Sequence, residues 1–238
     1  MLPLRPRAPW GRIESTLYTA LVARGQEALY GRLLALLPGV TPPFRALDVG
    51  CGPGHAAVML AKAHPEATIV GVDTSPKMVA HAQSLAQKAA ASNASFALGD
   101  ALRLPFEPQR FDIVYSFASI KHWPHPEQGL REIFRVLEPN GSAVVLEADP
   151  GAPDHAIRAH GRSWPWLPEV VFALAFRRVV APAGLRLEDA LKLARSSPFA
   201  SASAERLADL PFVAMRFAKT PGIYTLTASK DLHDIRRP

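Results

Sequence analysis

The sequence predicts an α/β fold built on a parallel sheet, and three observations support this prediction. Residues 45–63 are typical of a buried strand, a glycine turn and a helix, which together form a ligand cradle in such folds. Strand-like and helix-like segments alternate across residues 44–149, and this alternation favours a parallel sheet with helices on its faces. The chain has 238 residues and is 48% hydrophobic, which suits one domain with a substantial core.

The N-terminal part is predicted to be helical before the sheet begins. Leucines recur at roughly helical spacing across residues 16–37, and Pro38-Gly39 marks the end of this helix. The mostly apolar residues 46–49 then enter a turn with glycines at alternate positions, Gly50, Gly52 and Gly54. Glycine tolerates positive φ and has no Cβ, so this turn can bend sharply and let a ligand approach the backbone.

The next two predicted strands each lead to an aspartate. Residues 67–72 precede Asp73, and residues 94–97 precede Gly99-Asp100. A carboxylate at the end of the second strand can accept both hydroxyl hydrogens of a ribose, and Asp100 can reach the exocyclic amine of a purine. Either aspartate can instead cap a helix, and Asp73 does precede a helix start at Pro76. The binding and capping roles are compatible.

The remaining elements follow from the same patterns. Helices are expected at residues 56–64, 76–91, 126–137 and 187–195. Strands are expected at residues 111–116, 142–147, 200–207 and 212–219. A turn-rich exit at residues 148–153 leads into a stretch with several aromatic residues that ends at residue 183. This stretch can cover a substrate, shield the edge of the sheet, or do both.

An ordered series of motifs resembles the class I S-adenosylmethionine-dependent methyltransferases, close to the group that includes the ubiquinone and menaquinone C-methyltransferases. The series runs from the glycine turn and the two aspartates through Leu104-Pro105-Phe106 and His122-Trp123-Pro124 to the helix and turn at residues 130–141. The match is close over residues 44–149 and loose beyond them. The resemblance implies a doubly wound, seven-stranded sheet with strand order 3-2-1-4-5-7-6, its last strand antiparallel.

The resemblance also implies how the single domain, residues 1–238, is organised. Residues 1–40 are expected to form a helical cap, residues 44–149 the cofactor-binding core, residues 150–183 a helical substrate lid after strand 5, and residues 184–238 the last helix and two strands. The implied cofactor is S-adenosyl-L-methionine. The residues expected to bind it are Asp48, Gly50, Cys51, Gly52, Gly54, Asp73, Thr74, Met78, Asp100, Ala101 and Ser116.

Methyl transfer from a sulfonium requires the protein to align donor and acceptor and to exclude water. Where the acceptor is a hydroxyl or an activated carbon, a base also helps to remove a proton. His122 is predicted to be that base, because a neutral imidazole suits proton abstraction near pH 7. The alternative is a structural hydrogen bond beside Trp123. Other polar residues after the fourth and fifth strands are Ser116, Ser119, Lys121, His125, Glu147 and Asp149.

Aromatic residues indicate a partly apolar acceptor. Those expected to form a flat pocket, or equally a core, are Trp123, Trp164, Trp166 and Phe172. We therefore expect methylation of a small molecule, with O-methylation of a phenolic or natural-product acceptor ahead of C- or N-methylation of a quinone-like one. No metal is expected, since neither an oxygen-ligand cluster after the fourth strand nor a zinc-type Cys/His spacing occurs.

Composition argues against several other classes. The net charge is +6, yet the basic residues are dispersed, so nucleic acid is not an expected partner. The single cysteine, Cys51, is expected to serve packing. No secretory signal is expected, because residues 1–7 contain no apolar run, and the longest apolar stretch, residues 170–180, is interrupted by Arg177-Arg178. A soluble cytoplasmic protein without stable membrane insertion is expected, and the sequence makes no prediction of oligomeric state.

Two rival functions stay open at this point. A nucleotide-dependent oxidoreductase shares the sheet, but its fingerprint G-x-G-x-x-G differs from the spacing in this chain. The second rival is a non-catalytic binding protein that keeps the cofactor fold and is anchored to a membrane by a helix near residues 172–180, where apolar residues are mixed with arginines.

Overall fold

Seven strands form one sheet in the computed structural model, which describes residues 26–39, 41–164 and 167–221. The spatial order is β3-β2-β1-β4-β5-β7-β6, as predicted. The strands are β1 (Arg45–Val49), β2 (Thr68–Asp73), β3 (Ala94–Leu98), β4 (Phe111–Phe117), β5 (Leu137–Ala148), β6 (Ser201–Arg206) and β7 (Phe212–Ala218). The chain reverses its order after β1, and this switch point is where open α/β sheets bind ligands.

The central strands are parallel and apolar on both faces. Residues Ala46, Leu47 and Val49 of β1 have no exposed surface, since helices cover both sides of the sheet. Strand β5 begins at Leu137, five residues before the predicted start. Leu137 pairs with Phe111, and after a register shift Ser142 pairs with Ile113, so the intervening turn-like residues are accommodated as an irregularity within the strand.

The last two strands form the antiparallel edge. Strand β7 runs antiparallel to β5, from Ser142 opposite Ala218 to Ala148 opposite Phe212. Strand β6 pairs antiparallel with β7 and lies at the edge of the sheet. A short connection joins β6 to β7, and the Leu207 amide donates to the Phe212 carbonyl over 3.0 Å. The predicted antiparallel ending is confirmed within residues 201–218.

Helices lie on both faces of the sheet. They are α1 (Gln26–Leu34), α2 (His55–Ala63), α3 (Pro76–Lys88), α4 (Pro126–Val136), α5 (Asp154–Gly161), α6 (Glu169–Ala175) and α7 (Leu187–Ser196). Helices α4 and α7 pack on one face, and α2 and α3 pack on the other face over β1 and β2. The described part of the predicted helix at residues 16–37 is α1, and residues 16–25 lie outside the described residues.

The segment after β5 packs against the sheet. Helices α5 and α6, a π-helix (Phe176–Val180) and a 3₁₀ turn (Ala181–Ala183) follow one another, and their apolar residues join a cluster with α1, β5 and β7. The stretch covers a face of the sheet over the interior strands β5 and β7 and not the edge strand β6, so the predicted shielding of the edge is not what the structure shows. The lid role stays a prediction. No helix in the described part of the chain has the length and apolar character needed to cross a bilayer.

A buried histidine lies inside this cluster. His160 is 5% exposed, and its ring packs edge-on against Phe172 and Phe212 with centroids 5.2 and 5.6 Å away. Its Nδ1 has no hydrogen-bond partner among the described residues. Burial, with a smaller contribution from the positive charge of Arg32, lowers the pKa of His160 from 6.5 to about 4.

We predict that this histidine makes the protein less stable in acid. The unfolded chain takes up a proton near pH 6.5 and the folded protein only near pH 4, so the stabilisation is complete above pH 6.5 and is lost as the pH falls towards 4. The free energy of unfolding, measured by urea denaturation, should fall by about 3 kcal/mol across this window. His160→Phe should flatten that slope.

The exposed His81 on α3 offers the matched control. His81→Gln changes a histidine that is exposed and lies outside the cluster around His160, so it should keep the slope of the unaltered protein. An unchanged slope in His160→Phe would contradict the assignment of this pH dependence to His160.

Candidate functional site

A cleft of about 520 Å³ opens at the carboxyl ends of β1, β2 and β4. It is bounded by the glycine turn, the start of α3, the residues after β3 and the loop after β4. Nine of the eleven residues predicted to bind the cofactor line it: Asp48, Gly50, Cys51, Gly52, Asp73, Thr74, Met78, Asp100 and Ala101. The sequence thus places most of its predicted cofactor residues in one cleft at the switch point of the sheet.

The glycine turn depends on the left-handed backbone that glycine permits. The φ values are 74° at Gly50, 52° at Gly52 and 85° at Gly54. The amides of Gly50 and Cys51 both donate to the carbonyl of Val72, over 2.8 and 2.9 Å, which ties the turn to β2. A Cβ at Gly50 would lie 1.9 Å from the Ser119 hydroxyl oxygen. The loop after β4 therefore lies so close to the turn that only glycine fits at this position without a clash.

Gly54 lies outside the cleft lining and serves helix packing. A Cβ at this position would lie 2.7 Å from the Cβ of Ala82 on α3. The missing side chain therefore lets α2 begin in close contact with α3.

Asp73 organises the turn through both of its carboxylate oxygens. Oδ2 accepts the Gly52 amide over 3.0 Å, and Oδ1 accepts the Ser75 amide over 2.9 Å. A carboxylate has about four acceptor positions, so capacity for a ligand hydroxyl is left. The two roles weighed from the sequence, shaping the start of α3 and facing a ligand, are geometrically compatible.

The cleft concentrates negative charge. Asp48 is 2% exposed, and burial together with the negative charge of Asp73 raises the pKa of its carboxyl well above the ordinary value. Burial and the charges of these two aspartates also raise the pKa of the Cys51 thiol, which favours packing over nucleophilic chemistry at that residue. Asp100 also lines the cleft, and its Oδ1 accepts the Leu102 amide over 2.9 Å.

The loop after β4 supplies the other wall. A 3₁₀ turn (Ile120–His122) presents Lys121 and His122 to the cleft. The Lys121 ammonium donates to Oε1 of Glu147 over 2.9 Å, and Glu147 is completely buried at the end of β5. The Trp123 indole donates to the Ser119 hydroxyl over 3.1 Å. These contacts fix the loop on which His122 lies.

Several predicted residues lie elsewhere. Ser116 is fully buried in β4 and donates to the Val49 carbonyl over 2.8 Å, so its hydroxyl does not line the cleft. Trp164 and Phe172 were predicted to line a flat pocket, but they pack in the cluster around His160 with ring centroids 5.9 Å apart. Trp123, predicted for the same pocket, does line the cleft. Trp166 lies outside the described residues.

The remaining polar candidates also have other surroundings. Exposed His125 precedes α4, and its carbonyl accepts amides from the first turn of that helix. Buried Asp149 forms an ion pair with Arg206. No group of three potential metal-ligating side chains occurs among residues 26–39, 41–164 and 167–221.

Part of the cleft wall was not predicted from the sequence. Tyr30 from α1 and Phe117 and Ala118 at the end of β4 line the cleft but were not predicted. Tyr30 stacks near His55 with ring centroids 6.2 Å apart, which joins α1 to the start of α2. The predicted leading helix was the one available signal for Tyr30, since nothing in its own neighbourhood marks a contact with the glycine turn.

The family model and the relatives that match this chain are all methyltransferases. A family model described as a methyltransferase domain matches residues 42–180. A demethylmenaquinone methyltransferase of Deinococcus radiodurans is 42% identical over 112 residues, covering 46% of this chain and 45% of the relative. A 27-O-demethylrifamycin SV methyltransferase of Amycolatopsis mediterranei is 32% identical over 128 residues, covering 53% and 46%. The chain spans about half the length of these relatives.

A solved structure shows the same fold. Phosphoethanolamine N-methyltransferase 2 of Haemonchus contortus, in complex with S-adenosyl-L-methionine, superposes with a TM-score of 0.64 at 22% identity over 84% of this chain and 44% of that one.

Two glycines of the turn provide a matched test of the close approach. Gly50→Ala and Gly52→Ala both place an alanine at positive φ, which costs roughly 1 kcal/mol. A Cβ at Gly52 meets nothing within 4 Å, whereas one at Gly50 collides with Ser119. We predict that Gly50→Ala lowers the free energy of unfolding by at least about 1 kcal/mol more than Gly52→Ala, as measured by chemical denaturation.

A double variant isolates the cause. Adding Ser119→Gly to Gly50→Ala removes both Ser119 side-chain atoms in the collision and should recover most of the difference. Equal losses in the two single variants would show that the loop after β4 does not pack on the turn as described.

Proposed function

Because this chain belongs to the methyltransferase-domain family, we propose that it transfers a methyl group from S-adenosylmethionine to an oxygen atom of a small, partly apolar acceptor. The observation that carries the proposal is the cleft itself, in which a glycine turn and three aspartates from the ends of β1 to β3 converge. Because the chain spans only about half the length of its relatives, the acceptor is inferred from the residues of the cleft.

The charge of the cleft fits a cationic cofactor. Asp48 and Asp73 raise each other's energy when both are ionised, which is the reason that the pKa of Asp48 is raised beyond the effect of burial. A ligand with positive charge relieves this repulsion. When bound, S-adenosylmethionine supplies an already activated methyl group on a positively charged sulfur.

The chain's own residues divide the work of binding. The glycine turn leaves room for the amino-acid part of the cofactor, Asp73 has acceptor capacity for the ribose hydroxyls, and Asp100 lies where an adenine amine would be held. Thr74 and Met78 line the same side of the cleft. Since these groups are fixed by the sheet and by backbone hydrogen bonds, they favour alignment with little reorganisation.

His122 is the proposed base. It lies on the loop after β4, which lines the cleft, and Glu147 holds the neighbouring Lys121 so that the 3₁₀ turn keeps its orientation. A neutral imidazole there can accept the proton that an acceptor hydroxyl loses. Lys121 supplies an ammonium beside it, although its charge is balanced by Glu147.

The acceptor is proposed to be partly apolar because Tyr30, Phe117 and Trp123 line the cleft. Oxygen as the methylated atom is supported by the relative whose name specifies 27-O-demethylrifamycin SV. The relative named for demethylmenaquinone favours a quinone-like acceptor as the second candidate. Trp164 and Phe172 are not part of this proposed surface, and a cytoplasmic location stays a prediction.

Ligand-dependent stabilisation tests the proposed cofactor. Thermal denaturation should show a higher melting temperature with S-adenosylmethionine or S-adenosylhomocysteine and no change with NADH, because only a ligand that binds the folded state stabilises it. Stabilisation by NADH alone would favour an oxidoreductase and overturn the proposal. Release of S-adenosylhomocysteine with a panel of phenols and quinones then tests the acceptor class.

A change at Asp48 tests whether the positive charge of the cofactor contributes to its binding. Asp48→Asn keeps the size of the side chain and removes the repulsion with Asp73, so the free energy of unfolding at pH 7 should rise. The same change should weaken the binding of cationic S-adenosylmethionine roughly tenfold relative to neutral S-adenosylhomocysteine, as measured by calorimetry. Equal weakening of both ligands would contradict an electrostatic role.

A pair of histidines tests the base. His122→Ala should lower turnover at least roughly a hundredfold, whereas the affinity for S-adenosylhomocysteine changes by less than about twofold. His125→Ala is the matched control, since His125 is exposed and outside the cleft lining, and it should leave both quantities unchanged. Unaltered turnover in His122→Ala would leave alignment alone as the contribution of this wall.

A further inference from the structure

One helical run carries nearly all of the exposed large apolar side chains. Among the described residues, six large hydrophobic side chains are exposed, and five of them lie on α6 and the following π-helix. These five are Val170, Val171, Leu174, Val179 and Val180, which are between 39% and 69% exposed. Such a concentration on one surface element is typical of an interaction surface rather than of scattered exposure. We name these five residues the apolar ridge.

The ridge belongs to a helix that is firmly seated. Phe172 and Phe176, one helical turn apart, are buried against Trp164 and the sheet-facing cluster. Val170 and Leu174 repeat the same spacing on another face of the helix, and that face points to solvent. The run therefore has one apolar face that is buried against the described residues and a second apolar face that stays largely exposed.

The charges around the ridge are basic. Residues 152–186 contain five arginines, one aspartate and one glutamate. Arg177 pairs with Asp154 and Arg162 pairs with Glu169, so both carboxylates of this stretch are already engaged. Arg178 forms no ion pair with any described residue and lies between Leu174 and Val179 on the exposed side of the run.

We propose that the apolar ridge and Arg178 dock this protein on an anionic lipid surface. Apolar side chains that enter the boundary of a bilayer, beside arginines whose guanidinium groups reach the phosphates, are the basis of interfacial binding. The run Glu169–Val180 has about 12 residues and is about 18 Å long, so it lies along the interface and is too short to span it.

The charge around the ridge favours an anionic lipid surface over a second copy of the chain and over the chain's own terminal segments. A second copy of the chain would bring Arg178 of one copy towards the basic stretch of the other, which is unfavourable. The chain's own segments beyond the described residues are also basic: residues 1–25 have four arginines against one glutamate, and residues 222–238 have three basic residues against two aspartates. An anionic surface satisfies both the apolar and the basic character of the ridge.

Vesicle binding tests the proposal without any cofactor or acceptor, so its outcome is independent of the proposed function. The full chain should co-sediment with vesicles of phosphatidylcholine and phosphatidylglycerol and much less with phosphatidylcholine alone. Leu174→Glu should weaken binding to the anionic vesicles at least roughly tenfold, because it removes apolar contact and adds a repelled charge. Arg178→Ala should weaken it roughly fivefold.

Leu98→Glu is the matched control. Leu98 is the sixth exposed apolar side chain and lies on β3, at the edge of the sheet opposite to β6. The control adds the same charge and should keep the binding of the unaltered protein. Circular dichroism and melting temperature should show that all three variants stay folded.

Two results would overturn the proposal. Equal losses in Leu98→Glu and Leu174→Glu would show that the attraction is a general effect of net charge and not a property of the ridge. A protein that ignores anionic vesicles and sediments as a dimer, with Leu174→Glu converting it to a monomer in analytical ultracentrifugation, would assign the ridge to a second copy of the chain.

Discussion

The crowding of Asp48 and Asp73 beneath one glycine turn is the constraint on which the rest of the site depends. Asp48 is fixed in the buried part of β1, and Asp73 is held by two amides, so neither carboxylate can move away from the other. Hydrogen bonds to the turn offset part of the cost at Asp73, but the pKa of Asp48 stays raised. A fold that retains such a pair leaves a cleft complementary to a cation.

The loop after β4 carries a different electrostatic arrangement. Lys121 and Glu147 form an ion pair whose carboxylate is completely buried, so the pair is close to neutral and does not cancel the field of the aspartates. Its contribution is to position the 3₁₀ turn, which the Trp123–Ser119 hydrogen bond also restrains. The aspartates and His122, the proposed base, thus lie on different elements that the sheet order brings together.

The sequence predicted the features that depend on local chemistry. Glycines at positive φ and aspartates at strand ends are specified within a few residues, and the strand order followed from the ordered motifs. Ser116 was misplaced because side chains alternate along a strand and its hydroxyl is turned to Val49. The aromatic residues Trp164 and Phe172 were ambiguous, since a core and a flat pocket call for the same residue types, and only the packing of the chain assigns them to the core.

The run from Glu169 to Val180 shows why apolar content alone does not determine burial. Nine of its twelve residues are apolar, yet the sheet offers the run a single surface, and Phe172 and Phe176 occupy that surface. The remaining valines and Leu174 face outward beside Arg178. An arginine without an ion-pair partner would be strongly destabilising in a fully buried position. An exposed arginine beside apolar side chains suits the boundary between an apolar and a polar medium, and an acceptor with apolar character would collect at such a boundary too.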